Sequence, residues 1–162
     1  MTEALSRRLK QPQFADAAQE ALLSVVVTAN TLNDVADRIC EEYGITRPQY
    51  NVLRILRGVH PHGHARCEIA RRMVDRASDV TRLVDRLQTR KLVKRARGSD
   101  DQRQAVTSIT AKGIKLLDTM RPRLDSETRR LLRQLSEDDC RQLSRLCALI
   151  LEAEPAPISV CE

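Results

Sequence analysis

Three histidines and a cysteine lie in one short stretch of this chain, "VHPHGHARC". His60, His62 and His64 alternate with other residues, and Cys67 follows three positions after the last histidine. Imidazole and thiolate are both common zinc ligands, so these four side chains are weak candidates for a metal site. Alternate residues share one side of a segment only while it stays extended, and the intervening proline and glycine favour a bend. We therefore favour a solvated turn and assign no metal.

Other chemistry that needs a recognisable motif is missing from the sequence. The five cysteines are odd in number and contain no CxxC pair, which indicates neither a disulfide framework nor a thiolate zinc site. We find no glycine-rich phosphate loop, no nucleophile elbow and no HExxH sequence. The chain is therefore not expected to be an enzyme or to carry a cofactor.

The length and composition favour one compact domain, alone or with an oligomerisation arm. The chain has 162 residues, of which 41% are hydrophobic but only 2% aromatic, so its core must be aliphatic. The longest apolar runs are too short to span a bilayer, and the first residues lack the pattern of a secretory signal. We expect a cytoplasmic protein with no membrane partner.

The net charge of +6 is confined to one central segment. Residues 66–103 contain twelve lysines and arginines and six acidic residues, and the rest of the chain contains sixteen of each. A local excess of positive charge indicates a polyanionic partner, with nucleic acid the leading candidate.

Periodicity predicts helices on both sides of the histidine-rich stretch. The seam of a long helix over residues 14–43 repeats in steps of three and four, and Gly44 is placed to end this helix. This seam comprises Leu22, Val25, Ala29, Leu32, Ala36 and Ile39. Two shorter helices are predicted over residues 47–57 and 67–74.

A fourth helix and two strands follow in the basic segment. Apolar residues of 77–91 recur at helical spacing, which at about 100° per residue leaves a polar and cationic opposite side. The runs "LVKRA" and "QAVTSIT" predict a β-hairpin around a polar turn. Two further helices are predicted over residues 111–134 and 137–153. This order of elements is that of a winged helix-turn-helix, and the predicted fold class is mostly α.

The exposed side of the fourth helix has the groups needed to bind DNA. Hydrogen-bonding side chains in its N-terminal half can reach base edges in the major groove, and cationic ones further along can hold phosphates. The candidates for the major groove are Ser78, Thr81 and Arg82. The candidates for phosphate are Arg86, Arg90 and Lys91.

The hairpin adds a second set of candidates. An arginine held out on a two-stranded ribbon suits a narrow minor groove, where the potential is most negative. Asp101 stands two residues before Arg103 and could orient its guanidinium through a forked hydrogen bond. The wing candidates are Arg95, Arg97, Asp101 and Arg103. The alternative is a solvated surface hairpin with a weak ion pair.

The run "DVTRLVDRLQTRKLVKRARGSDDQRQAVTSITAKG" resembles the recognition helix and wing of the MarR family of bacterial transcriptional regulators. The family's T-R-L-x-D-R-L core corresponds to residues 81–87, and its D-x-R and T-x-x-G elements to Asp101, Arg103, Thr110 and Gly113. "ITRPQYNVLRIL" resembles the family's second helix. One departure is Lys91, where the family commonly has glycine.

This resemblance implies a homodimer that binds a palindromic double-stranded DNA operator, usually to repress nearby genes. The implied division is an all-helical dimerisation region over 14–44 and 114–153 and a winged DNA-binding region over 45–113. Residues 1–13 and 154–162 are expected to be flexible termini. By this resemblance, Arg103 corresponds to the wing-tip arginine that family members place in the minor groove, and Asp101 to the residue that holds it.

The resemblance also implies a small anionic or phenolic effector, bound in a cleft between the dimerisation and DNA-binding regions. Two alternatives stay open. One is a redox- or metal-responsive regulator of the same fold, although Cys40 is at the end of the long helix and not near its start, where peroxide-sensing members have theirs. The other is a basic protein that binds DNA without sequence preference.

Overall fold

The computed structural model describes residues 3–97 and 105–153 and is mostly α-helical, with one small antiparallel sheet. Its helices are α1 (Glu3–Leu9), α2 (Ala17–Glu42), α3 (Arg47–Arg57), α4 (Arg66–Arg72), α5 (Val80–Thr89), α6 (Ala111–Leu131) and α7 (Glu137–Glu152). Its strands are β1 (His64–Ala65), β2 (Val93–Arg97) and β3 (Ala105–Ile109). The predicted fold class is confirmed. In the described ranges, no helix combines the length and the apolar character needed to cross a membrane.

The chain forms two compact units, Met1–Arg47 and Pro48–Glu162. The boundary between them is close to residue 45, where the winged region was predicted to begin. The two C-terminal helices belong to the same unit as the winged region. Their assignment to a dimerisation region, together with 14–44, stays a prediction.

The N-terminus differs from the sequence-based expectation. Residues 3–9 form helix α1, where we expected a flexible terminus, and this helix contacts α2 within the first unit. Leu5 is only 6% exposed. Seven residues with two leucines are too few to show a helical period, which is why the sequence did not reveal this helix. Residues 154–162 lie outside the described residues.

Both ends of α2 are set by local hydrogen bonds. The helix begins at Ala17, three residues later than predicted, because the carboxylate of Asp16 caps its first turn. At the other end the N–H of Ile45 donates to the carbonyl of Cys40 at 3.0 Å, which is the long bond of a Schellman motif. Gly44 supplies the left-handed residue of this motif with φ of 69°. The predicted role of Gly44 is confirmed.

The apolar seam predicted for α2 is only partly covered. Ile39, its last member, is buried, whereas Leu22, Val25 and Leu32 are 58%, 42% and 43% exposed. Most of the length of α2 thus presents aliphatic side chains that the described part of a single chain leaves accessible to solvent.

In the second unit, α3 has the predicted bounds and buries Val52, Leu53 and Leu56 completely. Helix α4 ends two residues before its predicted end. The reason is that the N–H of Val74 donates to the side-chain oxygen of Asn51 at 3.0 Å and not to a carbonyl one turn back. This bond fixes the start of the turn between α4 and α5 on α3.

Helix α5 is shorter than predicted at its start. It begins at Val80 and not at residue 77, because the carboxylate of Asp79 accepts from the N–H of Arg82 and caps the helix. The preceding residues form a separate turn, in which Asp75 accepts from the N–H of Ala77 at 3.0 Å. Val84 and Leu87 are buried, as their spacing predicted.

The sheet has the order β1-β3-β2, and both pairs of neighbouring strands are antiparallel. Strands β2 and β3 form the predicted hairpin, with Val93 opposite Ile109. Strand β1 was not predicted and pairs His64 with Thr107. A Cβ at Gly63 would come within 2.4 Å of the carbonyl oxygen of Thr107, so this close pairing requires a glycine. His64 and Ala65, which we expected in a solvated turn, therefore form a strand, and the last two residues of the histidine-rich stretch begin α4.

The two C-terminal helices contrast in burial. Helix α6 buries Leu117 and Met120, whereas α7 has no buried residue. The start of α7 is nevertheless well defined by a capping box, in which Ser136 and Asp139 exchange hydrogen bonds with each other's backbone N–H groups. The Ser136 hydroxyl and then the Ser136 N–H, which both donate to the Asp139 carboxylate, hold its pKa below its usual range.

Candidate nucleic-acid interface

The outer side of α5 is polar and exposed. Thr81, Arg82 and Arg86 are all exposed, and the Arg82 side chain is 80% accessible. Its guanidinium is 3.3 Å from the carboxylate of Asp79, a surface pair that contributes little energy and leaves the arginine free to move. The opposite side packs into the core through Val80, Val84 and Leu87. Helix α5 thus presents cationic and hydrogen-bonding side chains to solvent.

Ser78 and Thr81, two of the three major-groove candidates, already have hydrogen-bond partners in the chain. Ser78 lies outside the helix, in the turn that precedes it, and its hydroxyl donates to Asp75 at 3.2 Å. The Thr81 hydroxyl accepts from Arg66 at 3.2 Å. Arg82 lies on the exposed side of the helix as expected, and within residues 3–97 and 105–153 its side chain pairs only with the cap residue Asp79.

The end of α5 contains the residues that were predicted to hold phosphate. The N–H of Leu92 donates to the carbonyl of Leu87 at 3.0 Å, and that of Lys91 to the carbonyl of Gln88 at 2.8 Å. These bonds form a second Schellman motif. Lys91 fills the left-handed position with φ of 60°. Lys91, which stands where the family commonly has glycine, thus leaves the helix end intact but adopts a left-handed conformation that favours glycine.

The T-x-x-G element has a clear structural role. Thr110 caps α6 by accepting from the N–H of Gly113 at 3.2 Å, and its hydroxyl donates to the carbonyl of Lys91 at 2.8 Å. A Cβ at Gly113 would come within 2.4 Å of the carbonyl oxygen of Leu92. The element therefore joins the end of α5 to the start of α6.

The wing is joined to α5 by an ion pair. Arg95 of β2 lies with its guanidinium 2.8 Å from the carboxylate of Asp85, and its side chain is only 34% exposed. Arg97 is the last residue of β2. Asp101 and Arg103 lie outside the described residues, so the predicted contact of the wing tip stays a prediction.

Part of the basic charge is neutralised on α4. The carboxylate of Glu68 accepts from Arg71 at 2.9 Å and from Arg72 at 3.3 Å. These two hydrogen bonds lower the pKa of Glu68, so the carboxylate is ionised at neutral pH. The net positive charge available to a ligand consequently lies more on α5 and β2 than on α4.

The histidine-rich stretch brings no metal-ligating group together. Over 3–97 and 105–153, no three side chains of histidine, cysteine, aspartate or glutamate are placed to hold one ion. His64 is in β1, and its Nε2 is buried without a hydrogen-bond partner among the described residues. The two other histidines precede the strand in the turn, and Cys67 lies in α4, so the four candidate ligands are spread over three elements.

The cysteines give no support to a redox site in the first unit. Cys40 is fully buried, and burial, followed by the charge of Asp37, raises the pKa of its thiol to about 11. A buried thiol with a raised pKa is a poor nucleophile and a poor sensor of oxidants. Cys40 therefore behaves as an apolar core residue.

Sequence reasoning missed two contributors to this surface. Arg66 directly precedes the helix predicted over residues 67–74, so helical periodicity did not assign it to a helix face. Asp85 was placed on the polar side of the fourth helix and in the family motif, but its pairing with Arg95 joins residues ten apart on different elements. Neither the Arg66 to Thr81 bond nor the Asp85 to Arg95 pair has a signal in local spacing.

Comparison with known proteins identifies the family. The family model described as "MarR family" matches residues 45–105. A solved MarR transcription factor from Planctomyces limnophilus is 36% identical over 85% of this chain and 99% of that chain, with a TM-score of 0.65. This chain belongs to the MarR family. It is a DNA-binding transcription regulator by family, and its relatives are regulators and not enzymes.

Two further members with solved structures share the MarR fold at lower identity. MepR of Staphylococcus aureus, solved in complex with DNA, is 24% identical over 88% of this chain and 100% of its own, with a TM-score of 0.71. CouR of Rhodococcus jostii RHA1, solved with bound p-coumaroyl-CoA, is 19% identical over 89% of this chain and 100% of its own, with a TM-score of 0.74.

Proposed function

We propose that this protein is a homodimeric, sequence-specific regulator that binds a palindromic operator, represses nearby genes and is released by a small ligand. The observation that carries the proposal is the exposed side of α5, with Arg82 accessible next to a wing that Asp85 and Arg95 join to the same helix. A helix of this kind fits the major groove, and a ribbon beside it fits the adjacent minor groove. Such a protein acts in the cytoplasm, where a bacterial chromosome lies.

The proposed dimer is supported by uncovered aliphatic surface. On α7, Leu143, Leu146 and Ile150 are 47%, 45% and 51% exposed and follow the i, i+3, i+7 spacing of one helix face. Contiguous apolar surface of this kind on a soluble chain marks an interface. A second copy of the chain covers such a face symmetrically and would place two α5 helices on one duplex.

The proposed effector is supported by a cleft between α3 and α6. The cleft has a volume of about 570 Å³, and its lining includes Arg54, Arg57, Arg121, Asp125, Leu117 and Leu124. Two of the three arginines form ion pairs with Asp118 and Asp125, so the cleft keeps one more guanidinium than these carboxylates. An excess of guanidinium groups together with aliphatic side chains suits an anion with an aromatic or other apolar body. The acyl-CoA bound by CouR combines a phenolic ring with anionic groups, which agrees with this chemistry.

The test is a competition binding assay with the DNA upstream of the protein's own gene against random DNA of equal length. We expect clear preference for the upstream DNA, a weaker complex for Arg103→Ala and reduced base preference for Arg82→Ala. Benzoate, as a simple aromatic carboxylate, should weaken the specific complex. Equal affinity for both DNAs would support the alternative of a non-specific DNA-binding protein and overturn the regulator proposed here.

A further inference from the structure

A second cleft lies between α5 and the sheet, and its lining differs from that of the cleft next to α6. It has a volume of about 460 Å³, and its polar lining residues include Arg66, Thr81 and Arg95. The rest of its wall is mostly small, with alanines, Val84 and Cys67. Two guanidinium groups and a hydroxyl therefore border a space that is large enough for an anion.

Arg66 supplies an uncompensated positive charge to this cleft. Its Nη1 donates to the Thr81 hydroxyl at 3.2 Å, which holds the guanidinium beside α5. In the described part of the chain it has no carboxylate partner. A guanidinium has five N–H donors, so most of them stay available for a ligand.

Arg95, which also lines the cleft, is held by an ion pair. Its ion pair with Asp85 at 2.8 Å comes from a strand and a helix that are both fixed by the core. The carboxylate can accept only part of the guanidinium's donors, and the others remain for a second acceptor. Because Asp85 fixes the direction of Arg95, the group is oriented before any ligand arrives.

The chemistry of the cleft matches a phosphate group. Planar guanidinium forks match the oxygen geometry of phosphate, and a threonine hydroxyl can donate to a third oxygen. Thr81 lines the cleft and also lies on the exposed side of α5, one turn before Asp85. The cleft is therefore continuous with the surface that would face a duplex.

We infer that Arg66, Thr81 and Arg95 form a seat for one phosphate of the DNA backbone, with Asp85 as the residue that positions Arg95. The inference rests on the proposed function and deepens it. Thr81 then fixes the position of the protein on the duplex and does not distinguish bases, since phosphate contacts carry no direct sequence information. Arg66 becomes a DNA-binding residue that lies outside the α5 helix and the wing.

The first test measures the salt dependence of binding for Arg66→Gln on both specific and random DNA. Loss of one phosphate contact per protomer reduces the slope of log K against log salt by about 0.9, or about 1.8 for a dimer. Affinity should fall by about tenfold on both DNAs, with base preference unchanged. Arg129→Gln, an exposed arginine in the last turn of α6, makes the same change in net charge and should keep the slope.

The second test uses Asp85→Asn. For this variant, the change in net charge alone and the loss of the group that positions Arg95 predict opposite changes in DNA affinity. Removal of a carboxylate from a DNA-binding surface should strengthen binding if only net charge matters. The phosphate seat predicts weaker binding, because Arg95 loses the group that orients it, and predicts rescue by Asp85→Glu. Thermal unfolding of each variant checks that the fold is kept.

The outcomes separate this inference from the proposed function. Wild-type protein that binds both DNAs equally would overturn the sequence-specific regulator, whereas the salt slopes would still support or overturn the seat. An unchanged slope for Arg66→Gln, or tighter binding by Asp85→Asn, would overturn the seat alone. Inorganic phosphate that stabilises wild-type protein but not Arg66→Gln, with the DNA slope unchanged, would show a site for free phosphate and overturn the DNA assignment.

Discussion

Helices α5 and α7 have similar amphipathic sequences but opposite surroundings. Helix α5 buries Val80, Val84 and Leu87 and contacts both α4 and β2. Helix α7 contains four leucines, one isoleucine and two cysteines, yet none of its residues is buried by the described part of the chain. The apolar side of α5 is covered by its own chain, whereas the described residues leave the apolar side of α7 exposed.

This difference indicates which side of each helix serves a partner. Since α5 uses its apolar side for the core, its polar side remains exposed and suits DNA. Helix α7 leaves its apolar side exposed, and each leucine buried there would contribute about 1.5–3 kcal/mol. A protein surface and not a polyanion is the partner that such a face requires. Substitutions in the two regions should therefore affect different properties.

The largest effect is expected from Leu146→Asp in α7. A charge in the middle of the exposed apolar face would have to be buried without a partner in the dimer, which costs several kcal/mol per interface. The variant should be monomeric by analytical ultracentrifugation, and its affinity for the operator should fall by at least about 100-fold, because two half-sites are no longer bound together.

The matched control for this change is Ser144→Asp, which places the same charge on the opposite side of α7. It should leave both the mass in solution and the operator affinity unchanged. Since α7 buries no residue in the single chain, the far-ultraviolet circular dichroism of Leu146→Asp should stay helical. A dimeric Leu146→Asp protein would show that α7 is not the interface.

An intermediate effect is expected from Gly113→Ala, which tests the close packing of α6 against the end of α5 within one chain. The new Cβ would lie 2.4 Å from the carbonyl oxygen of Leu92 and 2.7 Å from a side-chain carbon of Ile109. The backbone must shift to relieve this overlap, so we expect the free energy of unfolding to fall by about 2–3 kcal/mol, as overpacking typically costs. Urea unfolding measures the change.

Gly58→Ala is the control, because the nearest atom to its Cβ would be 3.5 Å away, which is ordinary contact. This substitution should leave stability unchanged or raise it by up to about 1 kcal/mol. The dimer mass should be unaffected by either change. Equal stability of the two variants would contradict the close approach of α6 to the end of α5.

The elements that the sequence predicted well are those whose signals are local. The cap at Gly44, the apolar side of α5 and the hairpin all depend on residues within one or two turns of each other. Thr110 and Gly113 were recognised through a motif, and the structure adds the reason, since the threonine caps α6 and the glycine admits a carbonyl.

The features that the sequence did not reveal depend on distant pairing or on very short segments. Strand β1 has two residues, and its existence depends on β3, more than forty positions later. The start of α5 was misplaced because Asp75 forms a turn that competes with the helix. The Asp85 to Arg95 pair joins two elements whose separation is set by the whole winged core.

The smallest effect is expected from Lys91→Gly, at the junction between α5 and the wing. The same Schellman motif ends α2 with Gly44 at φ of 69° and α5 with Lys91 at φ of 60°. A residue with a Cβ pays about 1–2 kcal/mol in this conformation, whereas glycine loses about 0.5–1 kcal/mol of additional chain entropy. Lys91→Gly should therefore stabilise the protein by about 0.5–1 kcal/mol.

Lys91→Gln separates conformation from charge at the same position. Both variants remove the cation that was predicted to contact phosphate, so both should weaken DNA binding and lower the salt slope by about 0.9 per protomer. Only the glycine variant should raise the midpoint of urea unfolding, because glutamine keeps the unfavourable φ. If Lys91→Gly were less stable than wild type, the side chain of Lys91 would stabilise the junction by more than its backbone conformation costs. If neither variant changed DNA binding, Lys91 would not contact phosphate, and DNA binding would not explain why a lysine stands at this unfavourable φ.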